Sequence, residues 1–217
     1  MQVIESSRYL VQYIKSVEGL EFAYKKRNSG YAHIGALFTD IILQSGLNYS
    51  TVVKPRVNRV LYDFPQANNL RNLQLAIEEH GLEKIIRWSH PVKIERFLSL
   101  LDFCAKREIN SCSDLKTFLR KSDNRTLFVS LKGIGPKTLD YTMKLLDFDT
   151  IAVDRHIIGF IELAGLKHKD YDFTKRTVEF AADLLEVSRA SLDQTIWSYM
   201  STKSVIDSET IQLKFIF

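Results

Sequence analysis

Cysteine and proline are scarce in this chain of 217 residues, which contains two of the first and four of the second. Cys104 and Cys112 are too few for an iron–sulfur cluster or a four-cysteine zinc site, so we expect free thiols and no cofactor. No apolar run approaches the roughly 20 residues that span a membrane, so no membrane partner is expected. The first residues also lack the basic and apolar regions of a secretory signal, which predicts an intracellular protein.

The composition is that of an ordinary globular protein, with 45% hydrophobic and 26% charged residues. The net charge of +4 agrees with a nucleic-acid partner, but many unrelated proteins are equally basic. Charge alone therefore leaves the functional class open.

Apolar residues recur at the three- and four-residue spacing of amphipathic helices, most clearly at Ile34, Leu37, Phe38, Ile41 and Ile42. This periodicity predicts an all-α fold of about ten helices. The length of the chain allows one large domain or two small ones that share a cleft, and we expect two helical subdomains that flank a cleft. We expect approximately residues 30–125 and 126–200 to form its two sides, within a single unit of residues 1–217.

Local signals place several helix ends. Ser113 and Asp172 are predicted N-caps, and Pro55 is expected either to open a helix or to kink one. The tail, residues 205–217, differs from the rest because its last eight residues alternate between polar and apolar. That alternation predicts a lone strand or an association surface.

Residues 131–138, with the sequence LKGIGPKT, predict a tight turn between two short helices. Gly133 and Gly135 would supply positive φ angles, Ile134 would fill the space between the helices, and Pro136 would begin the second one. The backbone N–H groups of Gly135, Lys137 and Thr138 would then point out of a helix N-terminus, where a DNA phosphate can bind. An ordinary helical hairpin with a glycine turn is the alternative.

This motif, together with AVDRH at residues 152–156, resembles the helix-hairpin-helix and aspartate signature of the endonuclease III and 8-oxoguanine DNA glycosylase superfamily. The resemblance covers residues from about 30 to 200 and implies a compact member without an iron–sulfur cluster. It implies that Lys137 occupies the position of the nucleophile of the bifunctional enzymes. Asp154 matches the essential aspartate.

The chemistry of these two side chains fits base excision. A carboxylate at Asp154 would stabilise the positive charge that develops on the sugar as the N-glycosidic bond breaks. A neutral amine at Lys137 would form an imine with the sugar carbon and permit β-elimination. As alternatives, Lys137 is a phosphate-binding surface lysine and Asp154 is a helix N-cap, which does not exclude an active-site role. His156 is expected to be structural, and Trp197 to be a buried core residue.

By the same resemblance, the turn after the helix that begins near Ile34 faces DNA and donates a side chain that fills the gap left by a flipped base. Gln44, Leu47 and Asn48 are the candidates, and a polar helix end is the alternative. Lys54, Arg56 and Arg59 follow and are candidates for phosphate contacts, unless they form only a solvated face.

The sequence therefore predicts a monomeric glycosylase that acts on double-stranded DNA containing a damaged base and incises the resulting abasic site. Three alternatives remain: a monofunctional glycosylase that uses Asp154 without lyase activity, a non-catalytic hairpin module that binds DNA, and a helical scaffold that associates through its tail. The identity of the damaged base is not encoded in any single motif.

Overall fold

The computed structural model describes residues 2–22 and 30–214, with side chains as far as residue 202. Two compact units divide the described residues. The first, which we call the hairpin unit, is Ser29–Asp147. The second, which we call the Asp154 unit, combines Met1–Asn28 with Phe148–Phe217. The boundary between the units falls at residue 147, whereas the expected cleft sides, 30–125 and 126–200, stay a prediction.

All regular structure in the described residues is helical, which confirms the all-α prediction. The hairpin unit contains the helices α2 Ile34–Leu43, α3 Lys54–Asp63, α4 Leu70–His80, α5 Leu82–Ile86, α6 Pro91–Ala105, α7 Cys112–Leu119, α8 Ser122–Val129 and α9 Pro136–Leu145, and a short π-helix at Tyr49–Val53. The Asp154 unit contains α1 Val3–Ser16, α10 Arg155–Leu163, α11 Tyr171–Leu184 and α12 Arg189–Lys214. No helix in these described ranges combines the length and apolarity that a membrane crossing requires.

The centre of the hairpin unit is α2, in which all ten residues are buried. Its sequence is apolar on every side except for Thr39 and Asp40, so burial on all faces is the favourable arrangement. Four other helices of the unit pack against it: α3, α4, α6 and α9. An edge-to-face pair of Phe38 and Phe97, with ring centroids 5.8 Å apart, joins α2 to α6.

The Asp154 unit is built from chain segments that are far apart in sequence. Helix α1 packs on α11, and α10 packs on α12. Leu10 and Ile14 of α1 share one apolar core with Phe160 of α10 and Ile196 of α12. The hydroxyl of Ser7 also donates a hydrogen bond to the carbonyl of Thr177 at 2.9 Å, so polar contacts reinforce the apolar packing.

Two predicted N-caps are displaced by two residues. Ser111, not Ser113, caps α7, because its hydroxyl accepts the N–H of Asp114 and the Asp114 carboxylate accepts the N–H of Ser111. This reciprocal pair satisfies two N–H groups at once. Asp170, not Asp172, caps α11 by accepting the N–H of Phe173 at 2.7 Å.

Pro55 opens a helix rather than kinking one, since it lies in the first turn of α3, directly after the π-helix. Of the two alternatives for the tail, the lone strand is wrong for residues 210–214, which continue α12, whereas the association surface stays a prediction. A lone strand would leave its backbone groups without partners, whereas a helix satisfies them within itself. Residues 215–217 of the expected tail lie outside the described residues.

Candidate active site: the hairpin and the Asp154 helix

Helices α8 and α9 form the expected hairpin, joined by residues 130–135. Gly133 has a φ of +84°, the left-handed conformation that favours glycine. Gly135 has a φ of −100° and a ψ of −176°, which is extended backbone. The prediction that both glycines supply positive φ is therefore wrong for Gly135, because a single left-handed residue completes the turn.

Ile134 fills the space inside the turn, as expected, and only 4% of its surface is exposed. Its N–H donates to the carbonyl of Leu131 at 2.9 Å. Phe128 of α8 is fully buried, but Leu127 is 44% exposed. Helix α8 therefore buries Phe128 but leaves Leu127 partly in solvent.

The first turn of α9 has no side-chain cap. Pro136 is its first residue and has no N–H, and the first helical bond runs from the N–H of Leu139 to the carbonyl of Gly135 at 3.0 Å. Among the described residues, no backbone acceptor meets the N–H groups of Gly135, Lys137 or Thr138. Three donors at a helix N-terminus form an anion-binding geometry. The Thr138 side chain is buried, so it would contribute its backbone only.

Lys137 is the second residue of α9 and is half-buried. It belongs to a group of cations that includes Lys93 and Arg96 of α6. Burial, together with the positive charges of Arg96 and Lys137, lowers the pKa of Lys93 to about 8. The Lys93 ammonium donates to the carbonyls of Ile42 and Ser45, at 2.6 and 2.9 Å.

Sequence reasoning missed Lys93 and Arg96, because nothing near them in the sequence marks them. In the sequence, both are basic residues of the kind found on the exposed face of any amphipathic helix. Their position beside the hairpin depends on how α6 packs. Arg96 lies directly against Gly133.

Asp154 is the N-cap of α10, so the capping interpretation is confirmed. Its Oδ1 accepts the N–H groups of His156 and Ile157, at 2.9 and 3.1 Å. Its Oδ2 lies 3.1 Å from Nδ1 of His156. The carboxylate is thus held by three donors in one orientation, while 24% of its side chain remains exposed. An exposed, preorganised carboxylate can also interact with a developing positive charge.

His156 makes a second contact, with the ring of Trp197 on α12, at a centroid distance of 5.9 Å. Trp197 is 36% exposed, so the expectation of a buried core tryptophan is wrong.

The turn after α2 contains the three candidates for filling the gap in DNA. Gln44 is the C-cap of α2, and its amide nitrogen is buried without a hydrogen-bond partner in the described structure. Asn48 caps the π-helix by accepting the N–H of Thr51 at 3.0 Å. Leu47 is half-buried. The role of these residues in DNA stays a prediction.

Two of the three cations that follow this turn are engaged within the hairpin unit. Arg56 donates to the carbonyls of Val52 and Arg87 at 2.7 and 3.0 Å and lies over Trp88. Arg59 forms an ion pair with Asp63 at 2.6 Å. These interactions leave fewer free donors for phosphate than the sequence suggested.

A buried carboxylate with three phenol partners lies elsewhere in the hairpin unit, and sequence reasoning did not find it. Asp40 of α2 is fully buried. It accepts hydrogen bonds from Tyr31, Tyr141 and Tyr49, at 2.7, 2.8 and 3.4 Å. The signal that pointed to it is one aspartate inside an otherwise apolar helix, which is rare unless the carboxylate has partners.

Lys137 belongs to the hairpin unit and Asp154 to the other unit, so their convergence in one cleft stays a prediction.

Cys104 and Cys112 are free thiols, as predicted, and both are buried. Burial raises the pKa of each thiol to about 12.

Comparison with known proteins relates most of the chain to a solved structure. No family model and no curated protein matches the sequence. The fold is similar to that of the H. pylori 3-methyladenine DNA glycosylase MagIII, solved with bound 1,N6-ethenoadenine. The TM-score is 0.53 at 16% identity, over 94% of this chain and 99% of that one. This chain therefore shares the fold of that glycosylase along nearly its whole length.

Proposed function

We propose that this protein is a base-excision DNA glycosylase that also incises the abasic site through Lys137. The observation that carries the proposal is the first turn of α9, where a half-buried lysine directly follows an uncapped helix N-terminus. The glycosylase fold and the signature around Asp154 support it. The partner would be double-stranded DNA with a damaged base, bound by one copy of the chain.

In this proposal the hairpin binds DNA through its backbone. The N–H groups of Gly135, Lys137 and Thr138 would donate to one phosphate, with the positive end of the α9 dipole behind them. Such contacts position the duplex but carry no sequence information. The target nucleotide would then rotate out of the stack, and a side chain from Gln44, Leu47 or Asn48 would occupy the space.

Bond cleavage would begin with departure of the base, which takes the electron pair of the N-glycosidic bond and leaves positive charge on the sugar. The Asp154 carboxylate would stabilise that charge, since the α10 N–H groups and His156 already fix its orientation. The capping role and the electrostatic role use the same oriented carboxylate, so they are compatible.

Lyase chemistry would follow at the same sugar carbon. The neutral Lys137 amine attacks C1′ of the sugar cation, and the C1′–O4′ bond then breaks while a proton passes from the nitrogen to O4′, which leaves a ring-opened imine. Loss of a C2′ proton then expels the phosphate from C3′, so the C3′–O bond breaks and the downstream strand leaves with a 5′-phosphate. Hydrolysis of the imine returns the free amine.

The test is borohydride trapping with an abasic duplex, alongside base release from duplexes that carry oxidised, deaminated or alkylated bases. The alkylated set includes 3-methyladenine and 1,N6-ethenoadenine. We expect a covalent complex that K137Q abolishes. K132Q is the matched control, since Lys132 lies in the same hairpin with 76% exposure and pairs with Glu95.

Each result separates the proposal from its alternatives. Base release without trapping would contradict the lyase step and leave a monofunctional glycosylase that uses Asp154. Binding without release from any lesion would contradict the enzyme and leave a DNA-binding module. Equal trapping by wild type and K137Q would assign the imine to another amine.

A further inference from the structure

The Asp40 cluster, which we define as Asp40, Tyr31, Tyr49 and Tyr141, is a polar assembly around a fully buried carboxylate in the hairpin unit, and the proposed chemistry does not use it. Its shortest hydrogen bonds are those that Tyr31 and Tyr141 donate to the carboxylate, at 2.7 and 2.8 Å. Tyr49 completes the cluster at 3.4 Å. Distances below 3 Å are typical of strong O–H donors to a carboxylate.

Stability alone does not account for this cluster. A buried carboxylate loses its hydration, and burial raises the pKa of Asp40 despite the three phenol donors. Apolar residues of similar volume commonly stabilise a core as well as a buried charge does, or better. The carboxylate instead fixes the orientation of its partners, because each phenol must direct its O–H group at the same carboxylate.

The phenols belong to the segments around the proposed site. Tyr141 is on α9, one helical turn after Lys137. Tyr49 begins the π-helix directly after the Gln44–Asn48 turn. Tyr31 precedes α2, and its backbone N–H donates to the carbonyl of Leu145 at the end of α9, at 3.0 Å.

A second anchor holds the other side of the same turn. Lys93 donates to the carbonyls of Ile42 and Ser45, which flank the end of α2. Lys93 consequently fixes the start of the turn, and Tyr141 fixes α9 to the same helix, α2. Tyr49 adds a longer contact to Asp40 directly after the turn.

We propose that Asp40 is a positioning residue: through Tyr141 and Tyr49 it fixes the helix that carries Lys137 relative to the Gln44–Asn48 turn. This inference rests on the proposed function. Asp40 itself has no exposed surface and would touch neither DNA nor the reacting sugar. Its effect would be transmitted through the orientation of α9.

The first experiment measures how readily the Lys137 amine is modified in the protein without DNA. Reductive methylation of the free protein, read by mass spectrometry, gives the modification rate of Lys137 relative to Lys132 in the same sample. We expect D40N and Y141F to change this ratio by at least about threefold. Y62F, which removes one hydroxyl from a tyrosine that is 77% exposed, should leave it unchanged.

The second experiment is single-turnover borohydride trapping at saturating abasic DNA. We expect D40N and Y141F each to slow trapping by about tenfold, with DNA affinity within about twofold, since small misplacements of a reacting group lower rates strongly. The double variant should be no slower than D40N, because both changes break the same interaction. Circular dichroism checks that each variant is folded.

The two experiments fail in different ways. If wild type gives no trapped complex but the methylation ratio shifts as expected, the proposed lyase fails while Asp40 still orients Lys137. If folded D40N and Y141F both keep the wild-type ratio and trapping rate, the positioning role is overturned. If D40N does not fold, Y141F and Y49F provide the same comparison with milder changes.

Discussion

The guanidinium of Arg96 on α6 lies against the Cα of Gly133, in the space that a β-carbon at this position would occupy. Gly133 also has a φ of +84°. Gly135 is two residues away, yet its φ is ordinary and a β-carbon there would meet no atom within 4 Å. Of the two hairpin glycines, only Gly133 is therefore required by its backbone conformation and by its surroundings.

This difference predicts opposite results for two matched substitutions. G133A should lower the free energy of unfolding by about 1–2 kcal/mol from the left-handed backbone alone, and by more if Arg96 must move. G135A should change it by less than about 0.5 kcal/mol. Urea denaturation of the three proteins measures both values. Equal destabilisation by the two substitutions would contradict the turn geometry described above.

The two roles of Asp154 are separable by substitution. Asn is as good an N-cap as Asp, so D154N should keep the free energy of unfolding within about 0.5 kcal/mol of wild type. The same variant removes the negative charge and should slow base release by about 100-fold or more. D154A loses the cap as well and should cost about 1 kcal/mol. Denaturation and single-turnover base release, measured on both variants, test this separation.

A purely structural Asp154 predicts a different result for the same two variants. In that case base release by D154N would stay close to wild type, whereas D154A would lose stability. Such a result would remove Asp154 from the proposed chemistry and keep it as a cap.

The buried cysteines predict slow thiol chemistry. Because burial raises the pKa of Cys104 and Cys112 to about 12, almost no thiolate exists at pH 8. Both should react with a disulfide reagent about 1,000-fold more slowly in the folded protein than in guanidinium, where an ordinary pKa near 8.5 applies. Absorbance of the released thiol follows both reactions, and rapid labelling of either residue in the folded protein would contradict its burial.

The raised pKa of Asp40 predicts how stability depends on pH. The folded protein binds this proton more tightly than the unfolded chain, so the contribution of Asp40 is fully present below its unfolded pKa of about 3.9. The contribution is lost as the pH rises through the folded pKa. The free energy of unfolding of wild type relative to D40N should therefore fall as the pH is raised from about 3.5 towards neutrality. A constant difference would show that folding does not shift this pKa.

Local physics made part of this structure predictable. Pro136 at a helix start, Ile134 inside a tight turn and Asp154 before an apolar helix each follow from the residue type and its immediate neighbours. The N-caps at Ser111 and Asp170 were placed two residues too late, since several capping residues stand close together and reciprocal bonding selects one of them. Helix boundaries carry this uncertainty in general.

Contacts between distant segments were not predictable. Tyr141 is 101 residues from Asp40, and Lys93 is 51 residues from Ile42, so no window of sequence contains both partners. Trp197 is a large aromatic residue, which favours burial, but the packing of α12 leaves it 36% exposed. In each case tertiary packing determines the contacts and the burial of these side chains, which the periodicity of the sequence does not specify.

The order in which the two units can fold during synthesis follows from how the Asp154 unit is divided along the chain. Its α1 precedes the hairpin unit and its α11 follows it, and the bond from Ser7 to Thr177 closes 170 residues. A ribosome completes Ser29–Asp147 before α11 exists, so the hairpin unit can collapse around α2 while α1 still lacks its partner. Closure over so long a separation is entropically slow. The apolar face of α1, with Leu10 and Ile14, would consequently stay open to chaperones or to aggregation until translation reaches the last helices.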